Sequence, residues 1–362
     1  MKKILYLIFL LNVLIAHGQT HSKKISVIAY YDGNASTIDA YAVEKLTHII
    51  YSFCHLEGNE LHVNNANDSL TIQHLVELKS RNPSLKVILS IGGWGGCATC
   101  SQVFSTDSGR IAFANSVKHL SEYFKTNGID IDWEYPAISG FPDHQFMPAD
   151  KDNFTALIKT LRSVLGNKYE ISFAAGGFES FLEKSVDWKK IAPLVDKVNL
   201  MSYDLVNGNS TLTGHHTPLY STPQQIESAD HAIHYFDSIH FPLNKVVIGA
   251  AMYGRVFNVD TDAGNGLYQH GSFDHGISFK NFYLDSMQQQ GYVYYWDDTA
   301  KAPYMYNKTG KKLFSYDNER SMALKTKYVV DKGLNGIMFW QLADDKPENG
   351  LLNAIDSTLH HK

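Results

Sequence analysis

The sequence predicts an α/β protein: a closed, parallel (β/α)8 barrel of the TIM type, with a small α+β insertion between its seventh and eighth strands. Three observations carry this. Eight nearly continuous apolar runs recur through the 362 residues, separated by helix-prone segments, which is the pattern of parallel strands covered on both faces. No G-x-G-x-x-G opens a helix after any of these runs, which removes the main cue for an open dinucleotide-binding sheet. One interval, 254–315, is too long for a simple connection and is rich in Gly, Tyr and Phe. It is expected to stand on the C-terminal rim of the barrel.

The first strand is read at 25–31 and stops at the turn signal Asp32-Gly33. The second is 47–53. Leu70, Ile72, Leu75, Val76 and Leu78 then give 69–80 a largely helical spacing, closed by Asn82-Pro83. The third strand, 86–91, runs directly into Gly92-Gly93-Trp94-Gly95-Gly96. Phe113, Val117, Leu120 and Phe124 form one face of a helix that Gly128 is expected to end. The fourth strand is the acidic stretch Gly128-Ile129-Asp130-Ile131-Asp132-Trp133-Glu134-Tyr135-Pro136. A helix over 151–166 leads to the fifth strand at 169–175, and the sixth is 197–203. A helix is predicted over 223–240, begun by Thr222-Pro223. The seventh strand is 245–253, the eighth 336–341, and a last helix follows Asn349-Gly350.

Composition narrows the partners. The formal net charge is −5, and Lys/Arg form only short pairs, so no nucleic-acid footprint is present. The 21 Tyr and 19 Phe suit a carbohydrate surface and a thick core alike. Lys2 and Lys3 before an apolar run over 4–16, with Ala16-His17-Gly18 behind it, read as a signal peptide over 1–18. That run is too short to span a membrane comfortably. The mature chain, 19–362, is expected outside the cytoplasm, extracellular or periplasmic, free of the membrane and monomeric. It would be one catalytic barrel interrupted by 254–315. Cys54 reads as a buried thiol. Cys97-Ala98-Thr99-Cys100 fits a loop disulfide or a pair of free thiols, and no further ligands nearby suggest zinc. His215-His216 shows no metal-binding spacing, so neither metal nor cofactor is expected. Asn34, Asn67, Asn153, Asn209 and Asn307 head Asn-x-Ser/Thr triplets.

The acidic stretch carries the chemistry. On a strand, Asp130, Asp132 and Glu134 project from one face, with neighbours about 7 Å apart. A surface strand gains nothing from such crowding, and a core strand cannot hold three unpaired anions. The pattern fits a site that keeps one carboxyl protonated beside its neighbours, as a general acid requires. Polar and aromatic residues fall near the C-terminal ends of the other strands, where barrels build active sites. They are Tyr30 and Tyr31, Phe53, Ser90 with Gly92-Gly93-Trp94, Met201, Tyr203, Asp204, Tyr253, Arg255 and Trp340.

The glycine-led acid ladder with its trailing Trp, Tyr and Pro resembles the strand-four D-x-D-x-E signature of the glycoside hydrolase family 18 chitinases. Ser90-Ile91-Gly92-Gly93 resembles that family's S-x-G-G, and Met201-Ser202-Tyr203-Asp204 its M-x-Y-D. Met252-Tyr253-Gly254-Arg255, the Trp340 strand and the loop His216-Thr217-Pro218-Leu219-Tyr220 also match, and 254–315 resembles its chitinase insertion domain. The resemblance implies retaining hydrolysis of β-1,4-linked N-acetylglucosamine polymers in which the substrate's acetamide replaces an enzyme nucleophile. Glu134 would be the acid and then the base. Asp132 would hold the acetamide N–H, Asp130 would share or repel charge with Asp132, and Tyr203 would bond the acetamide oxygen. Trp340 would floor the sugar site, Trp94 would offer a platform further along, and Tyr30, Phe53, Met201, Asp204, Tyr253 and Arg255 would line it. An endo-β-N-acetylglucosaminidase acting on N-glycans would use the same catalytic set. A sugar-binding lectin would be expected only with the acid replaced, and Glu134 is intact.

Overall fold

The computed structural model describes residues 25–360; the predicted signal peptide lies outside them. Fourteen strands are described: β1 (Ser26–Tyr31), β2 (His48–Glu57), β3 (Glu60–His62), β4 (Lys86–Gly92), β5 (Gly128–Asp132), β6 (Glu170–Gly176), β7 (Lys197–Met201), β8 (Val246–Ala251), β9 (Tyr253–Val259), β10 (Gly271–Ser278), β11 (Tyr292–Asp297), β12 (Ala302–Asn307), β13 (Lys312–Ser315) and β14 (Gly336–Trp340). Eight pair in parallel in the order β1-β14-β8-β7-β6-β5-β4-β2, and β1 pairs with β2 to close the barrel. The short β3 folds back on the end of β2.

Alternation along each strand sorts its side chains into two layers. Ile129 and Ile131 of β5 pack outward with helix residues such as Phe113, Val117, Leu157 and Leu161. The interior holds Ile28, Tyr30, Ile50, Ile88, Met201, Val247 and Met338, and Asp130 and Asp132 project into it. At the opposite end of the barrel, Glu170 pairs with Lys86, Lys197 and His48. Burial alone would raise its carboxyl, but hydrogen bonds and charges from His48 and Lys197 hold it well below the usual carboxylate range.

Three sequence expectations change. The helix Asp107–Phe124 is ended by Lys125 at φ 61°, its backbone N–H bonding the Ser121 carbonyl. Gly128 instead opens β5, where a Cβ would lie 2.0 Å from the Glu170 carbonyl oxygen; it is needed for strand contact, not for a helix end. The helix predicted over 223–240 is confined to Ala229–Ser238, capped by the Ser228 side chain on the His231 N–H. The Gln225 side chain bonds both the backbone N–H and the carbonyl of His215, which ties the preceding residues into a turn. The seventh barrel strand stops at Ala251, and Tyr253 already belongs to β9.

That switch starts a second, antiparallel sheet in the order β10-β9-β13-β12-β11, with the helix Leu284–Gln289 before β11. Phe257, Val259, Leu267, Tyr304, Tyr306 and Leu313 form its own small core, with Val206 from the β7–β8 connection. A buried ion pair joins this sheet's exit to the barrel. Lys325 Nζ donates to Asp317 and Thr217 at 2.6 Å each, and Asp317 also accepts from the Ala251 N–H at the end of β8.

Candidate active site

The site is built outward from Asp130. Register places Ser90 of β4 and Ser172 of β6 opposite it on the two neighbouring strands. The Ser172 hydroxyl and the Asn199 amide donate to Oδ1 at 2.6 and 3.0 Å. The Tyr30 and Ser90 hydroxyls donate to Oδ2 at 3.0 and 3.2 Å. Burial pushes this carboxyl up, and four hydrogen bonds to its ionised form oppose the shift. Both oxygens are thus engaged by neighbouring side chains. Tyr30, expected as a substrate contact, is 1% exposed and directs its hydroxyl at Asp130.

One step along, Asp132 is buried and its Oδ1 has no hydrogen-bond partner among the described residues. Burial first, then the charges of Glu134 and Asp130, push its carboxyl well above the ordinary range. The strand ends here, and Trp133 turns outward against Phe104 and Phe154, so Glu134 returns to the Asp132 side and is only partly covered. Burial and the Asp204 charge raise Glu134 to about 7. It is thus a carboxyl that can carry a proton near neutrality while in reach of solvent. The Tyr203 hydroxyl is held in its neutral, donating form by burial and by the charges of Asp132, Glu134 and Asp204. Among the described residues its one hydrogen-bond contact is the Met338 sulfur at 4.0 Å, so it can donate to a ligand.

The turn after β4 packs directly on this cluster. A Cβ on Gly92 (φ 106°) would lie 2.0 Å from the Asp132 carbonyl oxygen, and one on Gly93 (φ 78°) would enter the Phe53 ring. The absent side chains let the Gly93 N–H bond the Asp132 carbonyl at 2.9 Å. Phe53 in turn stacks on Trp340, with centroids 5.5 Å apart and planes 14° from parallel, and Tyr30 lies on the same indole at 6.0 Å. Trp340, Tyr253 and Tyr135 border the inner layer around Met201 and Tyr203. Trp94 stands apart, 52% exposed, with Phe141 edge-on at 5.5 Å.

Arg255 and Asp204 do not present separate polar groups. Arg255 Nε and Nη2 bond the two Asp204 oxygens at 2.5 Å each, and its guanidinium lies between the Tyr253 and Phe273 rings at 5.4 and 5.3 Å. Burial would raise Asp204, but His216 and Arg255 hold it well below the usual range. His216 is fully buried 3.5 Å from Asp204, and burial pushes its own pKa down, so Arg255 is the charged partner of Asp204. Among the described residues no cluster of three or more His, Cys, Asp or Glu could hold a metal. Cys97 and Cys100 form a disulfide, and Cys54 is a buried free thiol.

Sequence reasoning missed Ser172, Asn199 and His216. The first two had a readable signal. Each is a lone polar residue inside an otherwise apolar parallel strand, and such a buried group must find a partner. In the second sheet, Trp296 has its ring under the Arg320 guanidinium at 3.8 Å.

Residues 26–345 match the model of the glycosyl hydrolases family 18. Chitinase A1 of Niallia circulans is 33% identical over 327 residues, covering 79% of this chain and 46% of that protein. Chitinase ChiA of Flavobacterium johnsoniae is 28% identical, covering 97% of this chain and 29% of its own length. The chain therefore spans less than half of either curated relative. Among solved structures, a family 18 N-acetylglucosaminidase from Paenibacillus barengoltzii superposes with a TM-score of 0.82 at 33% identity, over 92% of this chain and 100% of that one.

Proposed function

Since this chain belongs to the glycosyl hydrolases of family 18, we propose that it is a chitinase that cleaves β-1,4 linkages between N-acetylglucosamine units with retention, assisted by the substrate's own acetamide. The observation that carries the reading is the pairing of Glu134, raised to about 7, with a buried Asp132 whose Oδ1 lacks a donor. A protonated Glu134 can give its proton to the leaving glycosidic oxygen. The acetamide N–H would bond Asp132, and the Tyr203 hydroxyl would hold the acetamide oxygen as it attacks the anomeric carbon. Glu134, now ionised, would take a proton from the water that opens the resulting ring. The Trp340 indole, braced by Phe53, would carry the sugar at the cleavage point, and Trp94 one further along.

The test is inhibition by a thiazoline analogue of an N-acetylglucosamine oligomer, with no turnover of the fully deacetylated chain. Covalent trapping of a fluoro-sugar on Asp132 would contradict the mechanism.

A second reading follows from the full-length match to an N-acetylglucosaminidase, namely release of single N-acetylglucosamine units from short oligomers. Product profiles on chitin oligosaccharides beside a high-mannose glycopeptide separate both readings from N-glycan cleavage. Export is part of the proposal, supported by the residue 1–18 pattern and by the Cys97–Cys100 disulfide, a bond suited to an oxidising compartment.

A further inference from the structure

β11 is an edge strand of the second sheet, three strand spacings from β9, or about 14 Å, and β9 carries Tyr253 and Arg255. Tyr292, Tyr294 and Trp296 alternate along β11, but Tyr292 is buried in the core and Trp296 lies under Arg320, so Tyr294 is the open ring of the three. Tyr294 lines a cleft of about 300 Å³ with Phe282, Tyr316, Glu319 and Lys346, a volume at the small end for ligand sites. Two rings here are open to solvent, Tyr294 at 37% and the adjoining Tyr283 at 61%, whereas Phe279, Phe282 and Tyr316 are buried. Lys346 Nζ lies 4.8 Å from the Phe279 ring centre and 4.9 Å from that of Tyr283. Among the described residues neither Lys346 Nζ nor the Glu319 carboxylate has a hydrogen-bond or ion-pair partner.

We propose that this groove is an accessory binding site for a neutral, linear chain of β-linked N-acetylhexosamine, outside the catalytic cleft. Ring faces take up the C–H faces of sugars, and the open pair Tyr283 and Tyr294 offers two such faces. The two charged residues that line the cleft, Glu319 and Lys346, are of opposite sign and offer hydrogen bonds of both polarities, which disfavours a polyanion or polycation. The choice of polymer rests on the chitinase reading above, and the location does not.

The experiment measures retention of the full chain on insoluble chitin. It uses a Glu134→Gln background so that the ligand stays uncut, and compares it with the same protein also carrying Tyr283→Ala and Tyr294→Ala. Retention should fall about five-fold or more, roughly the value of one lost ring contact. The two tyrosine changes placed in the active enzyme should leave kcat/KM on a soluble chromogenic disaccharide within about two-fold. Tyr283→Ala alone, at an exposed position, gives a second variant that does not disturb packing and should weaken retention in the same direction. Equal retention overturns the proposal, as does absence of retention in the Glu134→Gln parent. Loss of a dimer in the variant with chitin retention unchanged also overturns it and marks the groove as a protein contact. Failure of the chitinase reading would appear separately, as no turnover of soluble chitin oligomers by the unmodified chain.

Discussion

The Ser172 hydroxyl donates to Asp130 Oδ1 across 2.6 Å, between two strands whose register sets these residues opposite each other. Asp130 is fully buried, so each of its four donors offsets part of the cost of holding a carboxylate in the barrel interior. Ser172→Ala should lower unfolding stability by about 1–3 kcal/mol, and Asn199→Leu, which also removes a bond to the Tyr30 hydroxyl, by at least as much. Urea unfolding checks both. No loss in either variant would mean that the network does not stabilise the Asp130 charge.

The raised Glu134 has a signed effect on stability. Its folded value of about 7 lies above the roughly 4.3 of an unfolded glutamate. The folded state therefore binds more protons between those two values. Stability falls as pH rises through that window and is level above it. The difference amounts to about 2–4 kcal/mol. Glu134→Gln removes the penalty, so the variant should melt several degrees above the parent at pH 8 and together with it at pH 4. Melting curves at the two pH values decide this, and an equal difference at both would contradict the linkage.

Asp204 adds to the upward shift of Glu134 through its charge. Asp204→Asn should therefore lower the Glu134 value and move the alkaline limb of the pH–kcat profile to lower pH by about one unit. Arg255, left without its carboxylate, would push the same way. A limb that stays in place or moves upward would show that Asp204 does not set the Glu134 proton affinity.

Gly92→Ala tests the turn that packs on the acids. The added carbon would lie 2.0 Å from the Asp132 carbonyl oxygen on a backbone at φ 106°, so the turn or the end of β5 must move. A loss of at least about 2 kcal/mol is expected, with kcat falling well before substrate affinity. Wild-type stability and kcat in this variant would show that the approach is not tight.

Much of this was legible in the chain. Barrel strands are covered on both faces, so they read as apolar runs, and three acids at period two inside one of them cannot be a core. The Gly92-Gly93 turn and Tyr203-Asp204 were placed by the same logic, at strand ends. What escaped depended on partners far apart in sequence. Asn199 reaches Asp130 from two strands away, and Arg255 faces Asp204 only because β9 leaves the barrel for the second sheet. The helix end at Lys125 escaped for a local reason: a lysine in the left-handed region does what a glycine was expected to do.

The measurement closest to the central claim is the turnover of Glu134→Gln on an N-acetylglucosamine oligomer, set beside its affinity for the same oligomer. With Glu134 as the group that gives and then takes the proton, kcat should fall by roughly 10²–10⁴-fold or more while binding is kept. Turnover within ten-fold of the unmodified enzyme, with the fold intact, would place the proton donor elsewhere and contradict the account.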